Sequence, residues 1–352
     1  MSVSLLGIGV VSALGCGIES VKAGLEGSLQ PFIQERRIET VAGGFSLPFY
    51  TADVNGLDRF VPRASQRRID RFIQMSLLSA YLAIEDSGID LAEKTRVGIV
   101  LGSGYGPLQT TFGFLDSLID FGDKCASPTL FANSLHNSLA SQASLSLKIQ
   151  GPSLTLTCFE RTTESVMSAA RNWLREGTAD YVLAGVGDEY CDVRGYATVL
   201  SGSRDISGLK PFDFDACTYL PGEGFVSFLL GKGFSEKGYG RIIDIKTGNR
   251  DAGIVKDHEA LFLAANGEQS TGRFYKPVTT EGNKLRAYSA LYGGMPVGNG
   301  FDVAIAALSL KEGVIYPSPG ENIKAERLSG NERIGCLAYD RTGNHSLITL
   351  SK

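Results

Sequence analysis

Residues 151–189, GPSLTLTCFERTTESVMSAARNWLREGTADYVLAGVGDE, read as strand, helix and strand in immediate succession. From about Thr162 to Glu176, Val166, Ala169, Ala170, Trp173 and Leu174 fall on one side of a helix, and Gly177 supplies its stop. The run that follows, Tyr181–Gly185, is apolar throughout, as expected of a buried strand. The same alternation fills the rest of the chain. Strands are predicted at Leu5–Val11, Arg96–Leu101, Gly224–Leu230, Arg241–Ile245 and Leu347–Leu350. A long helix is predicted from about Arg67 to Ser87, with Ile69, Phe72, Ile73, Leu77, Ala80 and Ile84 three and four apart and Gly88 as its stop. Another runs from Phe301 to Glu312 and closes at Gly313. This is the pattern of an α/β protein with buried sheets.

At 352 residues and 43% hydrophobic, the chain can bury a sizeable core and exceeds one minimal domain. Glycines and charges cluster at Gly231–Gly240, a soft boundary that gives halves 1–235 and 236–352. The net charge of -4 leaves no electrostatic footprint for nucleic acid or an anionic membrane. Six cysteines are scattered without a CxxC pair, the usage of thiols in a reducing compartment rather than of disulfides or a zinc site. The N-terminal MSVSLLGIGVVSALG lacks a basic leader and a cleavage motif and reads as a buried strand. No run approaches the roughly 18 to 20 apolar residues that span a bilayer. A soluble, cytoplasmic protein with no metal or cofactor is expected.

Several phrases together resemble the β-ketoacyl synthases, the condensing enzymes of fatty-acid and polyketide synthesis. GIGVVSALGCGIE is similar to that family's opening strand, where Gly-x-Gly is read as permitting a tight turn. RRIDRFIQMSLLSAYLAIEDSGID resembles its Arg-x-Asp-Arg-Phe helix, and RVGIVLGSGYG its second strand and glycine-rich bend. LKPFDFDACTYLPGEGFVSFLL resembles its Pro-Phe-Asp turn and Gly-Glu-Gly strand, and SLKEGVIYPSP its late helix and exit loop. The ordered set is specific where single pieces are not. It implies a thiolase-like fold: two similar α/β halves, each with a mixed five-stranded sheet, stacked in five layers αβαβα. The chain is shorter than a typical synthase, mostly in its second half.

The resemblance also locates the family's chemistry. There a cysteine thiolate at a helix start takes the acyl chain, while two histidines and a lysine support decarboxylation and hold the oxyanion. The cysteine lies nine residues after the Gly-Pro-Ser glycine and about twenty before an acidic residue. Here both counts, from Gly151 and from Asp180, reach Glu160. The first histidine's loop reads AANGEQST, which puts Asn266 at its position. The segment of the lysine and second histidine reads YSALYGGMPVGNG, with Tyr288 and Gly293 at those positions. The Gly-Phe-Gly-Gly-Thr-Asn gate loop reads YDRTGN, comprising Tyr339, Asp340, Arg341 and Gly343, with Asp340 at the Phe position. No catalytic position keeps its residue.

That set implies a non-catalytic chain-length-factor-like subunit, pairing with an active synthase as a heterodimer, shaping its acyl tunnel and helping dock acyl carrier protein. Two alternatives stand beside it. One is a divergent synthase or malonyl decarboxylase with displaced chemistry, using Cys158 or Glu160 with Asn266. The other is a homodimeric acyl-binding protein. Glu160 reads either as a helix-start carboxylate favoured by the macrodipole or as one that closes the pocket or pairs with Arg161. His136 and Asn137, in SPTLFANSLHNSLASQASLSL, and Phe159 are tunnel or interface candidates, and Ser-Leu-His-Asn resembles a branch of aryl-polyene type pathways. His136 reads first as a satisfied structural histidine and second as a functional one; His258 and His345 read as loop or surface residues.

Overall fold

The computed structural model describes residues 2–40, 43–91, 96–201, 208–233, 235, 238–249, 258–280, 284–321, 323–329 and 332–352. Ten strands form one continuous path: β1 (Val3–Ser12), β2 (Val97–Gly102), β3 (Ser153–Leu156), β4 (Tyr181–Asp188), β5 (Gly224–Lys232), β6 (Arg241–Asn249), β7 (Ala260–Leu263), β8 (Lys284–Arg286), β9 (Arg333–Tyr339) and β10 (Asn344–Ser351). Eight helices matter below: α1 (Arg71–Ser87), α2 (Leu108–Phe121), α3 (Pro128–Ser134), α4 (Ser138–Leu147), α5 (Thr162–Glu176), α6 (Asp192–Leu200), α7 (Gln269–Tyr275) and α8 (Asn299–Glu312).

The path runs β8-β7-β9-β10-β6-β1-β5-β4-β2-β3. From β3 inward the pairings are parallel, parallel, antiparallel and antiparallel, and from β8 inward the sequence is identical. The two halves therefore repeat one five-stranded arrangement, and they join where Val3 pairs with Ile242 and Ser4 with Arg241. Helices α5 and α8 share the central core with strand residues of both halves, among them Val182, Phe228, Ile334 and Ile348. Helices α1 and α4 cover the outer face of the first half. The outer face of the second half is closed by Tyr275 of the short α7, against Leu261, Leu263, Leu337 and Leu347. These are the five layers expected.

The motif phrases now have physical reasons. Gly7 and Gly9 make no tight turn; they lie within β1, and a Cβ on Gly9 would sit 1.9 Å from the Ser79 carbonyl oxygen of α1, one on Gly7 2.2 Å from that of Ala83. The helix packs on bare strand backbone. The helix itself starts at Arg71 rather than Arg67, because Asp70 caps it by accepting from Ile73 N at 2.9 Å. Arg71 then pairs with Glu223 of the Gly-Glu-Gly phrase, Nε to Oε1 at 3.0 Å, linking two motifs 152 residues apart. The strands extend past their predicted ends by a few residues, as at β6 and β10.

Gly9→Ala is expected to cost about 3 kcal/mol, because the clash is with backbone that cannot rotate away. Urea denaturation measures it, and a loss within error of zero would mean that α1 can lift off β1 freely.

Candidate functional site

β3 ends at Leu156, and a single 3-10 turn, Phe159–Arg161, leads into α5. The turn holds Phe159 at φ 48°, a strained conformation for a bulky residue. Glu160 follows, its side chain 18% exposed at the entrance to α5. Its partner is Arg341 and not Arg161: Arg341 Nε lies 3.2 Å from Glu160 Oε1, whereas Arg161 Nε is 2.9 Å from Glu164 Oε1. A neighbour three residues on takes the nearby guanidinium. Arg341 also reaches Glu268, Nη2 to Oε1 at 3.0 Å, so one cation bridges two carboxylates from distant segments. Burial raises the Glu160 carboxyl above its ordinary range, with Glu268 and Asp340 adding to the effect and Arg341 opposing it.

Asn266 joins this cluster through its side chain, whose Oδ1 accepts from Glu268 N at 3.1 Å; Ser270 Oγ donates to Glu268 Oε1 at 2.8 Å. The YDRTGN segment is a tight β9–β10 hairpin. Asp340 Oδ1 accepts from Thr342 N, Thr342 Oγ1 and Asn344 N at 2.7 to 2.9 Å, and Oδ2 from Asn344 Nδ2 at 2.8 Å. Burial works against the Asp340 carboxylate, but these bonds outweigh it and hold its pKa below the usual range. Gly343 N donates to Asp340 O at 3.0 Å, and Tyr339 N donates to the Tyr275 hydroxyl at 3.1 Å. Asp340 is thus the clamp of a rigid turn that presents Arg341.

Tyr288 and Gly293 lie elsewhere. Tyr288 is fully buried in the core, its hydroxyl donating to Tyr316 O at 2.8 Å and its ring edge-on to Phe262. Gly293 has φ 82°, and a Cβ there would meet Gly222 Cα at 2.6 Å and the Tyr50 ring at 2.8 Å. Next to it, a Cβ on Gly294 would lie 2.2 Å from the Tyr219 ring. Gly222 N donates to Gly294 O at 3.0 Å, and Gly294 N to Leu220 O at 2.7 Å. The buried Arg194 clamps the crossing, giving Nη1 to Gly222 O at 2.9 Å and to Glu189 O at 3.0 Å, and Nη2 to Gly294 O at 2.6 Å and to the Tyr219 hydroxyl at 2.9 Å.

A cleft of about 470 Å³ opens beside this crossing, walled by Tyr105, Leu108 and Phe112 on one side and by Arg194, Glu268 and Arg341 on the other. A second space of about 440 Å³ adjoins it through Ser201, Glu268 and Ser270. The Tyr105 ring meets Phe159 edge-on at 6.0 Å and has Arg194 over its face at 5.2 Å. No histidine or cysteine other than Cys217 lines either space among the described residues. Cys158 is exposed, and its backbone N donates to Thr162 Oγ1 at 2.9 Å. His136 and Asn137 are exposed between α3 and α4, with the His136 ring packed over Gly106. His345 is no surface residue: it is buried in β10 against Tyr339 and Gly248. His258 Nε2 bonds Thr349 Oγ1 at 3.0 Å. Sequence reading missed Tyr105, Arg194 and Glu268. The aromatic residue inside the glycine-rich bend GSGYG was the only local sign of the first.

Beneath the cleft lies a set of buried carboxylates. Asp188 accepts from Ser103 Oγ at 2.6 Å and Tyr105 N at 3.0 Å, and Glu189 from Gln109 N at 2.8 Å. Burial pushes the Glu189 carboxyl up to about 8, with Asp70, Glu223 and Asp188 adding to it. Asp302 of α8, bonded to the Tyr292 hydroxyl at 2.9 Å, is likewise pushed up to about 8 by burial.

These features define a thiolase-like scaffold, and comparison with known proteins gives its family. The chain matches the β-ketoacyl synthase N-terminal domain over residues 29–233 and belongs to that family. It is 26% identical over 233 residues to 3-oxoacyl-[acyl-carrier-protein] synthase 2 of Vibrio cholerae, covering 63% of this chain and 56% of that protein. A Staphylococcus aureus protein of the same description is 26% identical over 232 residues, covering 63% and 55%. The chain thus spans a little over half the length of the curated relatives it matches. Among solved structures it is similar to the ishigamide ketosynthase/chain length factor, with TM-score 0.81 and 17% identity over 100% of this chain and 99% of that one. It is also similar to a type II PKS ketosynthase solved with its acyl-carrier protein, with TM-score 0.78 and 12% identity over 99% of each chain. No helix among the described residues is long and apolar enough to cross a membrane.

The buried acids set a pH dependence. Glu189 holds its proton in the fold up to about pH 8, whereas an unfolded glutamate releases it near 4.5. Its contribution is therefore complete below about pH 4.5 and lost as pH rises through about 8. Asp302 acts in the same direction. Melting temperature should fall by several degrees from mildly acidic to mildly alkaline buffer. Glu189→Gln, which keeps the acceptor for Gln109 N, should flatten that slope; an unchanged slope would clear Glu189 of the role.

Proposed function

We propose that this chain is a non-catalytic member of its family, a chain-length-factor-like subunit that works beside an active synthase. The observation that carries the reading is the crossing at Gly293. The position matching the family's second histidine has Gly222 backbone and the Tyr50 ring where a side chain would begin. The position matching the nucleophile is a carboxylate held by Arg341, and attack by a carboxylate on a thioester would yield only an unstable anhydride. Asn266 and the buried Tyr288 supply no proton relay at the remaining positions.

The partner reading rests on a free sheet edge. β3 is the last strand of its half, and the apolar residues around it, Leu145 and Phe159, are exposed. Continuing that edge with a strand of a second subunit would cover them. A ketosynthase/chain length factor and a ketosynthase bound to acyl-carrier protein are among the similar structures, which favours a synthase and a carrier protein as companions. An aryl-polyene type pathway is suggested by the Ser-Leu-His-Asn phrase alone.

Purified protein given an acyl primer and malonyl carrier protein should form no condensation product, and intact-mass analysis should find no acyl adduct on Cys158. Glu160→Cys should likewise yield no product. Adding Gly293→His should lower stability by about 3 kcal/mol instead of restoring a base. Condensation by the wild type, or an adduct on Cys158, would hand the function to the displaced-chemistry reading.

A further inference from the structure

Residues 108–135, which hold α2 and α3, form an excursion that the core does not grip. Among the described residues, none of its side chains belongs to the buried apolar clusters that pack the sheets. Phe114 of α2 packs on Phe131 of α3, so the pair moves as a unit, yet Thr110 is the only buried residue of α2. A fourteen-residue helix that buries so little needs another seat. Polar bonds supply it. Thr110 Oγ1 donates to Asp70 Oδ2 and Gln109 N to Glu189 Oε1, both at 2.8 Å, and Asn133 Nδ2 donates to Arg68 O at 3.3 Å. The two ends of the excursion meet where the His136 ring packs over Gly106, which has φ 75°. This is a flap on a hinge, and its Leu108 and Phe112 wall the cleft.

Two of the three bonds end on buried acids. The Glu189 carboxyl, pushed up to about 8 by burial, faces Asp70 ahead of α1, its neighbour Asp188 in β4 and Glu223 ahead of β5, all of which add to the effect. Arg71 sits on Glu223, Arg194 of α6 donates to the Glu189 carbonyl, and the Cys191 thiol beside it is kept neutral by burial. The first turn of α2, Leu108 to Thr111, brings no ionisable side chain. Lifting α2 takes the Gln109 amide away and lets water reach Glu189, and a hydrated glutamate releases its proton near 4.5. Seating therefore takes up a proton and lifting releases one, so lifting gains as pH rises from about 4.5 to about 8. Asp70, whose pKa burial also raises, acts in the same direction.

We propose that the α2–α3 excursion is a proton-linked flap over the cleft: it seats while Glu189 holds its proton and lifts when that proton leaves. The proposal needs no partner subunit and does not rest on the reading above.

Hydrogen exchange followed by mass spectrometry on the purified chain tests it. Peptides from 108–134 should be protected, but at least about tenfold less than peptides from α5, because the flap opens without the rest of the fold. Corrected for the base-catalysed exchange of a free amide, their protection should fall about tenfold per pH unit between about pH 6 and 7.5. Glu189→Gln keeps the acceptor for Gln109 N without the proton, and should make the flap's protection independent of pH. A flap as well protected as α5, or one whose protection is absent or unchanged across that range, would overturn the proposal. So would a wild-type slope that persists in Glu189→Gln, which would move the proton to another group, with His136 at the hinge the first to examine. The wild-type profile decides the first two outcomes even if the variant fails to fold.

Discussion

The structure turns on a backbone crossing. Residues 220–222, from the loop entering β5, and residues 293–294, from the segment leading to α8, exchange main-chain hydrogen bonds at 2.7 and 3.0 Å. Backbones come this close only where no side chain intervenes, and both Gly222 and Gly293 are bare. Arg194 then spends its guanidinium on the carbonyls that flank the crossing. A guanidinium out of water is costly unless its donors are satisfied and its charge answered. Four acceptors take the two Nη groups and Asp188 answers the charge, while Nε is buried without an acceptor; the Arg194 pKa lies above its ordinary value despite burial. Removing Arg194 would take the side-chain donor from Gly222 O and Glu189 O, while Gly294 O would keep the Gly222 amide and the Tyr219 hydroxyl. The join between the halves and the shape of the cleft are therefore one problem with one solution.

The acid network under the cleft follows from the same choice. Asp70, Asp188, Glu189 and Glu223 face each other across α1, β4 and β5, with Arg71 and Arg194 as the guanidinium groups beside them. Four carboxylates against two cations cannot all ionise in a desolvated space. The proton stays on Glu189, which has only the Gln109 amide as a bonded donor, while Glu223 holds Arg71. Each acid also caps or anchors an element: Asp70 starts α1 and, with Glu189, fixes the first turn of α2. Electrostatic strain and architectural anchoring reside in the same side chains.

Period and punctuation carried much of this from the sequence. The α5 boundaries, Thr162 and Glu176, were legible because an apolar stripe ends at a glycine, and the paired strands because buried runs are uniformly apolar. The start of α1 was misjudged by four residues because Arg67 and Arg68 extend the polar pattern without joining the helix; only the Asp70 cap marks the break. The glycines of β1 looked like turn residues because a helix lying on the opposite side of a strand leaves no trace in the strand's own sequence. Arg161 stood among the alternatives for Glu160 because proximity in sequence was the only guide to a partner. Its real partner lies 181 residues on, and Arg161 was already committed to the buried Glu164. His345 follows a Gly-Asn turn, yet the next strand starts at once and takes it inside.

The substitutions at the family positions are mutually dependent. Arg341 stands at the tip of a hairpin that Asp340 holds with four side-chain bonds, and a phenylalanine at 340 could make none of them. The guanidinium it presents is shared by Glu160 and Glu268, and the Glu160 carboxyl already sits above its ordinary pKa through burial. Replace Glu160 alone, and Arg341 keeps one carboxylate. Replace Arg341 alone, and two carboxylates face each other in a partly desolvated pocket, where at least one must take a proton or turn to solvent. Replace Asp340, and the turn that aims the guanidinium loses its clamp. Glu160 is thus the one member of the set whose loss leaves Arg341 a carboxylate and the hairpin its clamp, whereas changes at 340 or 341 undo the arrangement around it.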